Sequence, residues 1–308
     1  MKWVIKNKKG DFNFVLLFAI IAGSAILVLA IYGAVKAGTT IRLQGEAEIS
    51  KSIQIITDPL QAGFAESQTS KLIFSQDSRV ENECFTNSGF GYNQIGVRQR
   101  SSIGEEWSPT VVPVKIKNKY IFSETEEAKN FYVFSKSFDS PYKVADLLFI
   151  SSKEYCFVSP PDNIAEDISS LNATNMKVDI GLGKSTCSTD SIRVCFDGGS
   201  SCNITIEGQC TSGNCESKFD YGYINKDGER YFYSGSLLYG AIFSDKELYE
   251  CNVQRLLFRT SKIAEVLSEK TDLMNARGCN TVLKNDLDTL AVVTVNASLS
   301  NLRDIYLF

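Results

Sequence analysis

The chain has 308 residues, 44% hydrophobic and 22% charged, which suffices for one large domain or two small ones with apolar cores and excludes a disordered tail. A formal charge of −4, with no basic block outside the first few residues, excludes the electrostatic footprint of a nucleic-acid-binding protein. With no histidine, Ser-His-Asp and Cys-His catalysis, HExxH metalloproteases and His-ligated metals are excluded as well.

Residues 1–13 form a basic segment carrying Lys2, Lys6, Lys8 and Lys9. No charge follows from Phe14 to Val35, a run that as a helix covers roughly 33 Å and can cross a hydrocarbon core. A transmembrane helix is therefore expected over 14–36, with the lipid bilayer as its partner. Only Lys36 and Arg42 follow closely, so the positive-inside bias puts the N-terminus in the cytoplasm and exports everything from about residue 37. A cleaved secretory signal is the competing reading, but its apolar region normally spans about 7–15 residues. The sequence Val35-Lys36-Ala37 is also a poor cleavage site. Gly23, Ser24 and Gly33 permit close helix packing, and hence self-association in lipid, without forming GxxxG.

Residues 37–66 read as a helical stalk: Ile41, Ala47, Ile49, Ile53 and Ile56 are spaced among charges as on an amphipathic helix that ends before Asp58-Pro59. The segment 67–243 is rich in Val, Ile, Tyr and Phe, broken by Gly, Asn, Asp and Ser clusters, and reads mainly as strands, for example 111–122 and 147–158. A hairpin is expected from Tyr221–Asn225, the turn Lys226-Asp227-Gly228, and Arg230–Tyr233. Its Tyr221, Tyr223, Tyr231 and Tyr233 either pack on a core, as aromatic pairs commonly do, or form a face that stacks on sugar rings.

Residues 244–308 read as an antiparallel helical hairpin. Ser244-Asp245-Lys246-Glu247 has the form of a capping box, and Tyr249, Val253, Leu256, Ile263, Leu267 and Met274 follow on one face, with Gly278 placed to end the helix. A second helix starts at about Thr281, with Leu283, Leu287, Leu290 and Thr294 on one side. The hairpin is expected to be a packed structural element, not a ligand site.

Nine cysteines lie in the part expected outside: Cys84, Cys156, Cys187, Cys195, Cys202, Cys210, Cys215, Cys251 and Cys279. Without a CxxC pair or a histidine they suit disulfides better than zinc. Strands at Ile192–Phe196 and Cys202–Ile206 around a Gly/Ser-rich turn would set Cys195 opposite Cys202, and Cys210 with Cys215 could close a tight loop. Cys251 and Cys279, roughly 42 Å apart along one helix, cannot bond to each other, so each is expected to reach a different part of the domain. The odd count leaves one thiol free or paired between chains. Sequons at Asn172, Asn203 and Asn296 are candidate glycosylation sites that agree with export.

Two catalytic patterns are present, each with a plainer reading. Gly181-Leu182-Gly183-Lys184-Ser185 resembles the end of a phosphate-binding loop, but Val178 stands where the first glycine is required, so a strand running into a turn is preferred. Ser140 and Lys143 match SxxK without the accompanying Ser-Asp-Asn or Lys-Thr-Gly, which favours an ordinary loop.

Lys8-Lys9-Gly10 followed by Asp11-Phe12-Asn13-Phe14 and the apolar run resembles the class III signal segment of archaeal type IV pilin-like proteins. The resemblance implies that a prepilin-type peptidase cuts after Gly10 and leaves the apolar helix on the mature chain. Val15 stands where the bacterial form carries glutamate. Segments 118–123, 143–147, 194–196 and 249–253 are similar to membrane-anchored archaeal proteins with no assigned activity, which implies location and topology but no catalytic residue.

The expected fold is α+β: an N-terminal transmembrane helix, a β-rich disulfide-stabilised outer domain and the C-terminal hairpin. The expected function is that of a membrane-anchored cell-surface structural or interaction protein, pilin-like or envelope-associated, with no catalytic, metal or cofactor site and with itself or other surface proteins as partners. The alternatives are an extracellular carbohydrate- or protein-binding module, favoured by an exposed row of tyrosines, and an exported histidine-free hydrolase, favoured by a deep polar pocket around Lys143.

Overall fold

The computed structural model describes residues 14–61, 69–86, 89–100, 107, 113–181, 187–196, 198, 201–209, 219–295, 297–298 and 301–306, with the backbone alone over 38–61. The basic segment with Gly10 lies outside the described residues, as do Cys210, Cys215, Asn296 and the 182–186 part of the phosphate-loop-like sequence. The chain divides into two units, Met1–Gly45 and Glu46–Phe308.

Helix α1 runs unbroken over Phe14–Gln61. No proline or glycine pair interrupts its first two thirds, and Phe14–Ala37 is 24 residues long at a mean hydropathy of 3.0 with none of it buried in the protein. A helix that is apolar on every side has no face for water, so its length and composition suit a bilayer.

The second unit is built on two mixed six-stranded sheets. The first contains β1 (Thr69–Phe85), β2 (Tyr92–Gln99), β3 (Val114–Ile116), β4 (Tyr120–Phe122), β5 (Glu126–Asp139) and β6 (Lys143–Ser151) in the order β3-β2-β1-β5-β6-β4. Its pairs are antiparallel except β4 with β6. Alternation sends successive side chains of β6 to two cores. Leu148 and Ile150 join Val80, Ile95, Val97, Ile121 and Val133 in one. Leu147 and Phe149 enter the larger core shared with the second sheet and the helices. There Phe149 stacks on Phe134 at 4.8 Å between centroids and lies 5.7 Å from Phe122.

The outer edge of β4 meets side chains and not another strand. The Ile121 carbonyl accepts from Asn82 and Asn252, each at 2.9 Å, and the Ile121 amide donates to Asn93 Oδ1 at 3.3 Å. Asparagine amides thus satisfy the backbone groups that an unpaired edge would leave exposed.

The second sheet takes β7 (Tyr155–Val158), β8 (Met176–Asp179), β9 (Ile192–Phe196), β10 (Ile204–Gln209), β11 (Tyr221–Lys226) and β12 (Glu229–Ser234) in the order β12-β11-β10-β9-β7-β8. Helix α2 (Asp162–Ser170) carries the chain between the parallel strands β7 and β8, burying Ile164 and Ile168 one turn apart. This helix, capped by Pro161, lies where the sequence reads mainly as strands. So does α3 (Leu237–Phe243), buried at every residue and therefore lacking the polar face that reveals a helix in a sequence.

Strands β9 and β10 are parallel, in contrast to the hairpin expected there. Only three residue pairs are in register, Val194↔Ile204 to Phe196↔Ile206, so the connecting loop has to return the chain a short distance only. The β11–β12 hairpin has a two-residue turn, Asp227-Gly228, with φ of 53° and 78°, and Lys226 pairs with Glu229 instead of entering the turn. Left-handed conformations at both positions match the twist of the flanking strands.

Helix α4 (Lys246–Ala276) starts one residue later than the capping-box reading places it. Asp245 is the N-cap and accepts from the Leu248 amide at 2.8 Å, while the Ser244 hydroxyl donates back to the Gly240 carbonyl at the end of α3. Two helices meet within two residues, and each takes one of the polar side chains. Tyr249, Val253 and Leu256 are 0% exposed, but the far end leaves the core and Met274 is 39% exposed. Gly278 (φ 87°) ends the helix with Gly278 and Cys279 amides bonded to Asn275 and Met274 carbonyls. Helix α5 (Lys284–Val295) bonds to α4 through Ser261 to the Ala291 carbonyl and through Ser268 to Asp288, and α6 (Leu302–Tyr306) follows.

Among the described residues three disulfides tie these layers: Cys84–Cys251 joins β1 to α4, Cys156–Cys187 joins β7 to the segment after β8, and Cys195–Cys202 closes the β9–β10 loop. Cys279 is exposed with a free thiol. Among the described residues it therefore ties nothing in the domain, a correction to the expectation that both cysteines of this helical region do so; it follows the exposed last turn of α4.

Candidate functional site

The first candidate feature grows from a buried arginine. Arg255 is 0% exposed in the middle of α4 and has no carboxylate partner among the described residues. Its donors go to the Phe90 and Lys119 carbonyls at 2.9 and 3.0 Å and to the side-chain oxygens of Asn93 and Asn252 at 2.5 and 2.8 Å. The guanidinium also lies 4.8 Å over the Tyr120 ring. Burial pushes its pKa down to about 10, well within the charged range at neutral pH.

One turn further along α4, Arg259 faces a polar depression of about 510 Å³ lined by Asn118, Lys143, Val144, Ala145, Asp146 and Arg259. The tight turn at Asn118 (φ 59°) brings the β3–β4 connection to this spot, and the start of β6 supplies the rest. Burial pushes up the Tyr120 phenol behind it, opposed by the charges of Arg259 and Arg255 and by a hydrogen bond from Arg259. Lys143 Nζ is 2.9 Å from Asp146 Oδ1. Arg259 Nε is buried and has no acceptor.

The second feature is an apolar groove of about 960 Å³ whose lining includes Tyr142, Leu267, Met274, Leu283, Leu287 and Ile305. The Tyr142 hydroxyl donates to the Thr260 carbonyl at 2.7 Å and fixes the β5–β6 loop against α4; burial pushes this phenol up to about 12. Leu273 and Val282 nearby are 54% and 89% exposed. This cavity therefore lies on the helical region expected to be purely structural.

Ser140 lines the apolar groove and Lys143 the polar depression, where its ammonium is engaged with Asp146. The hydroxyl and amine of an SxxK pair have to meet for the amine to take the proton, and here they line different cavities. Gly181 and Val178 are described, with Val178 in β8, but the remainder of the phosphate-loop-like sequence is not.

The tyrosines of the β11–β12 hairpin do not share one face: the register sets Tyr231 and Tyr233 beside Ile224 and Gly222, and Tyr221 and Tyr223 on the other side of the sheet. Tyr231 and Tyr233 donate to the Ala241 and Phe219 carbonyls, Tyr221 is 7% exposed, and Arg230 covers Tyr223 at 4.2 Å. A row of tyrosines that could stack on sugar is not on offer.

Half-buried Glu124 and buried Glu126, invisible among 36 acidic residues, are both occupied. Burial alone would raise the Glu124 carboxyl, but Lys226 and Lys153 outweigh it and hold its pKa below the usual range. Lys226 Nζ also donates to the Ile242 and Ser244 carbonyls at 2.9 Å each. Glu126 accepts from the Ser151 and Ser152 hydroxyls at 3.0 and 2.6 Å. Neither carboxylate faces a described cavity, so the pair locks β5, β6 and the hairpin together.

Ligand atoms of Cys156, Asp179 and Cys187 lie within 4.8 Å of one another, the geometry of a metal trio. The two sulfurs are bonded to each other, and a disulfide offers no thiolate to a metal. Of the sequons, Asn172 and Asn203 are exposed, and Asn203 Oδ1 accepts from the Arg193 amide at 2.9 Å. No protein-family model, curated protein or solved structure matches the chain.

Proposed function

We propose that this is a single-pass cell-surface protein of structural or interaction type, held by its N-terminal helix with the disulfide-bonded domain outside the cell, and pilin-like in its N-terminal segment. The observation that carries the reading is α1 itself: one continuous helix from Phe14 to Gln61 whose first 24 residues are apolar and unburied. Three disulfides among the described residues favour an oxidising compartment. The four lysines before the helix favour the orientation, and Gly10 is where the resemblance puts peptidase cleavage. An enzyme reading finds no support from Ser140 and Lys143, which line separate cavities.

Intact mass and N-terminal sequencing of the mature protein test this. A chain starting at Asp11 supports the pilin-like reading, and one starting at Met1 or Lys2 supports an uncleaved anchor. A start beyond residue 37 means that the apolar run is a removed secretory signal, and the membrane-anchored account fails.

A further inference from the structure

We infer that the apolar groove on α4 and α5 docks a second copy of this chain across a two-fold axis, groove face to groove face. Leu267, Leu287 and Leu290 are half-buried on its lining. At the end where the Thr281 amide bonds to Asn275 Oδ1, Leu273, Met274, Val282 and Leu283 are 54%, 39%, 89% and 55% exposed. Large apolar side chains gathered at one end of a helix pair mark a surface that another surface covers. Val282 stands between two lining residues, Thr281 and Leu283, and Leu273 stands next to lining Met274. One face therefore carries a protrusion beside a recess, the self-complementary shape that a two-fold interface requires.

The charges on the lining point to the same occupant. Lys270 comes from α4 and Asp286 from α5; both are exposed, and neither side chain has an ion pair or hydrogen bond among the described residues. With the axis running between the two helices, Lys270 meets Asp286 of the partner subunit, and symmetry repeats the pair in reverse. The third charge, Asp139, is exposed and accepts from the Ser137 hydroxyl at 2.7 Å, so it needs no partner across the interface. A lipid surface suits this lining less well: two carboxylates against one lysine leave it net negative, and anionic headgroups would repel it. The inference deepens the interaction reading by naming its partner. A mature chain that starts beyond residue 37 would remove the membrane anchor and leave this surface as it is.

The test uses the full chain as its cells produce it. Two differently tagged copies are co-expressed, the cells are treated with a zero-length carbodiimide, which joins a lysine to a carboxylate in direct contact, and mixed-tag dimers are counted after denaturing purification. Expected for the parent is a mixed-tag dimer whose mass map joins Lys270 to Asp286. Lys270→Glu in both copies, or Asp286→Lys in both, should lower its yield by about tenfold or more, because each sets like charges against each other. Both residues are exposed, so these variants keep the fold. Lys270→Glu in one copy with Asp286→Lys in the other should restore the dimer, since both contacts again join opposite charges; a loss of folding cannot be rescued in this way. A parent without the Lys270–Asp286 link means that something other than a second copy covers the groove, and overturns the inference. A yield unchanged by the single reversals, or not recovered by the mixed pair, overturns it as well.

Discussion

Removing the Cys84–Cys251 bridge should destabilise the outer domain more than removing any other single cross-link. The two cysteines are 167 residues apart, with nearly all of both sheets inside the loop they close. The loop-closure relation assigns such a bond about 5 kcal/mol of denatured-state constraint, against about 2.5 kcal/mol for the Cys195–Cys202 loop, whose separation is 7 residues. Cys84 and Cys251 are half-buried, so alanine at both leaves little cavity and chain entropy dominates the difference. Equilibrium urea unfolding followed by near-ultraviolet circular dichroism, which reports the packed tyrosines, should place Cys84→Ala/Cys251→Ala well below Cys195→Ala/Cys202→Ala in midpoint. A loss under about 1 kcal/mol for the long-loop pair, or a larger loss for the short-loop pair, refutes the reasoning.

Leu256→Ala, at 0% exposure in the large core, should cost about 2–5 kcal/mol in the same assay, whereas Val266→Ala, at 63% exposure, should stay within about 0.5 kcal/mol. Gly91→Ala should lose at least about 1 kcal/mol, because φ is 54° there and an added Cβ would run into the Phe85 carbonyl and the Arg255 side chain. Burial favours the neutral Glu124 carboxyl, but Lys226 and Lys153 prevail, so its folded pKa is below the unfolded one. Its contribution is therefore full above the unfolded pKa of about 4.3 and is lost as pH falls through the folded value. Thermal midpoints of Glu124→Gln measured across this acid range should accordingly decline less steeply than those of the parent.

What was legible in the sequence is what depends on neighbours in the chain. The uncharged run after Phe14, the Asp227-Gly228 turn and the Tyr249, Val253, Leu256 stripe all follow from local spacing. Strand order and pairing direction do not. The parallel match of β9 with β10 depends on β7 and β11 on either side of the pair, and no feature of 192–206 alone encodes it. Helix α2 could have been found from Pro161, Asp162 and the Ile164/Ile168 spacing, all ordinary helix-start signals. Helix α3 could not, since it is apolar throughout. The Arg259 depression draws on 118, 143–146 and 259, so only the fold assembles it. Its one local trace is two arginines, 255 and 259, four residues apart in a stretch where the helix is otherwise turning apolar residues inward.

Export of the domain is the central claim, and the exposed Cys279 thiol offers the most direct measurement. Intact cells are treated with a membrane-impermeant maleimide, and labelling of the parent is compared with that of Cys279→Ser before and after lysis. An outer domain predicts a Cys279-dependent signal of equal strength in intact and lysed cells. A signal that emerges only after lysis contradicts the orientation and, with it, the cell-surface function.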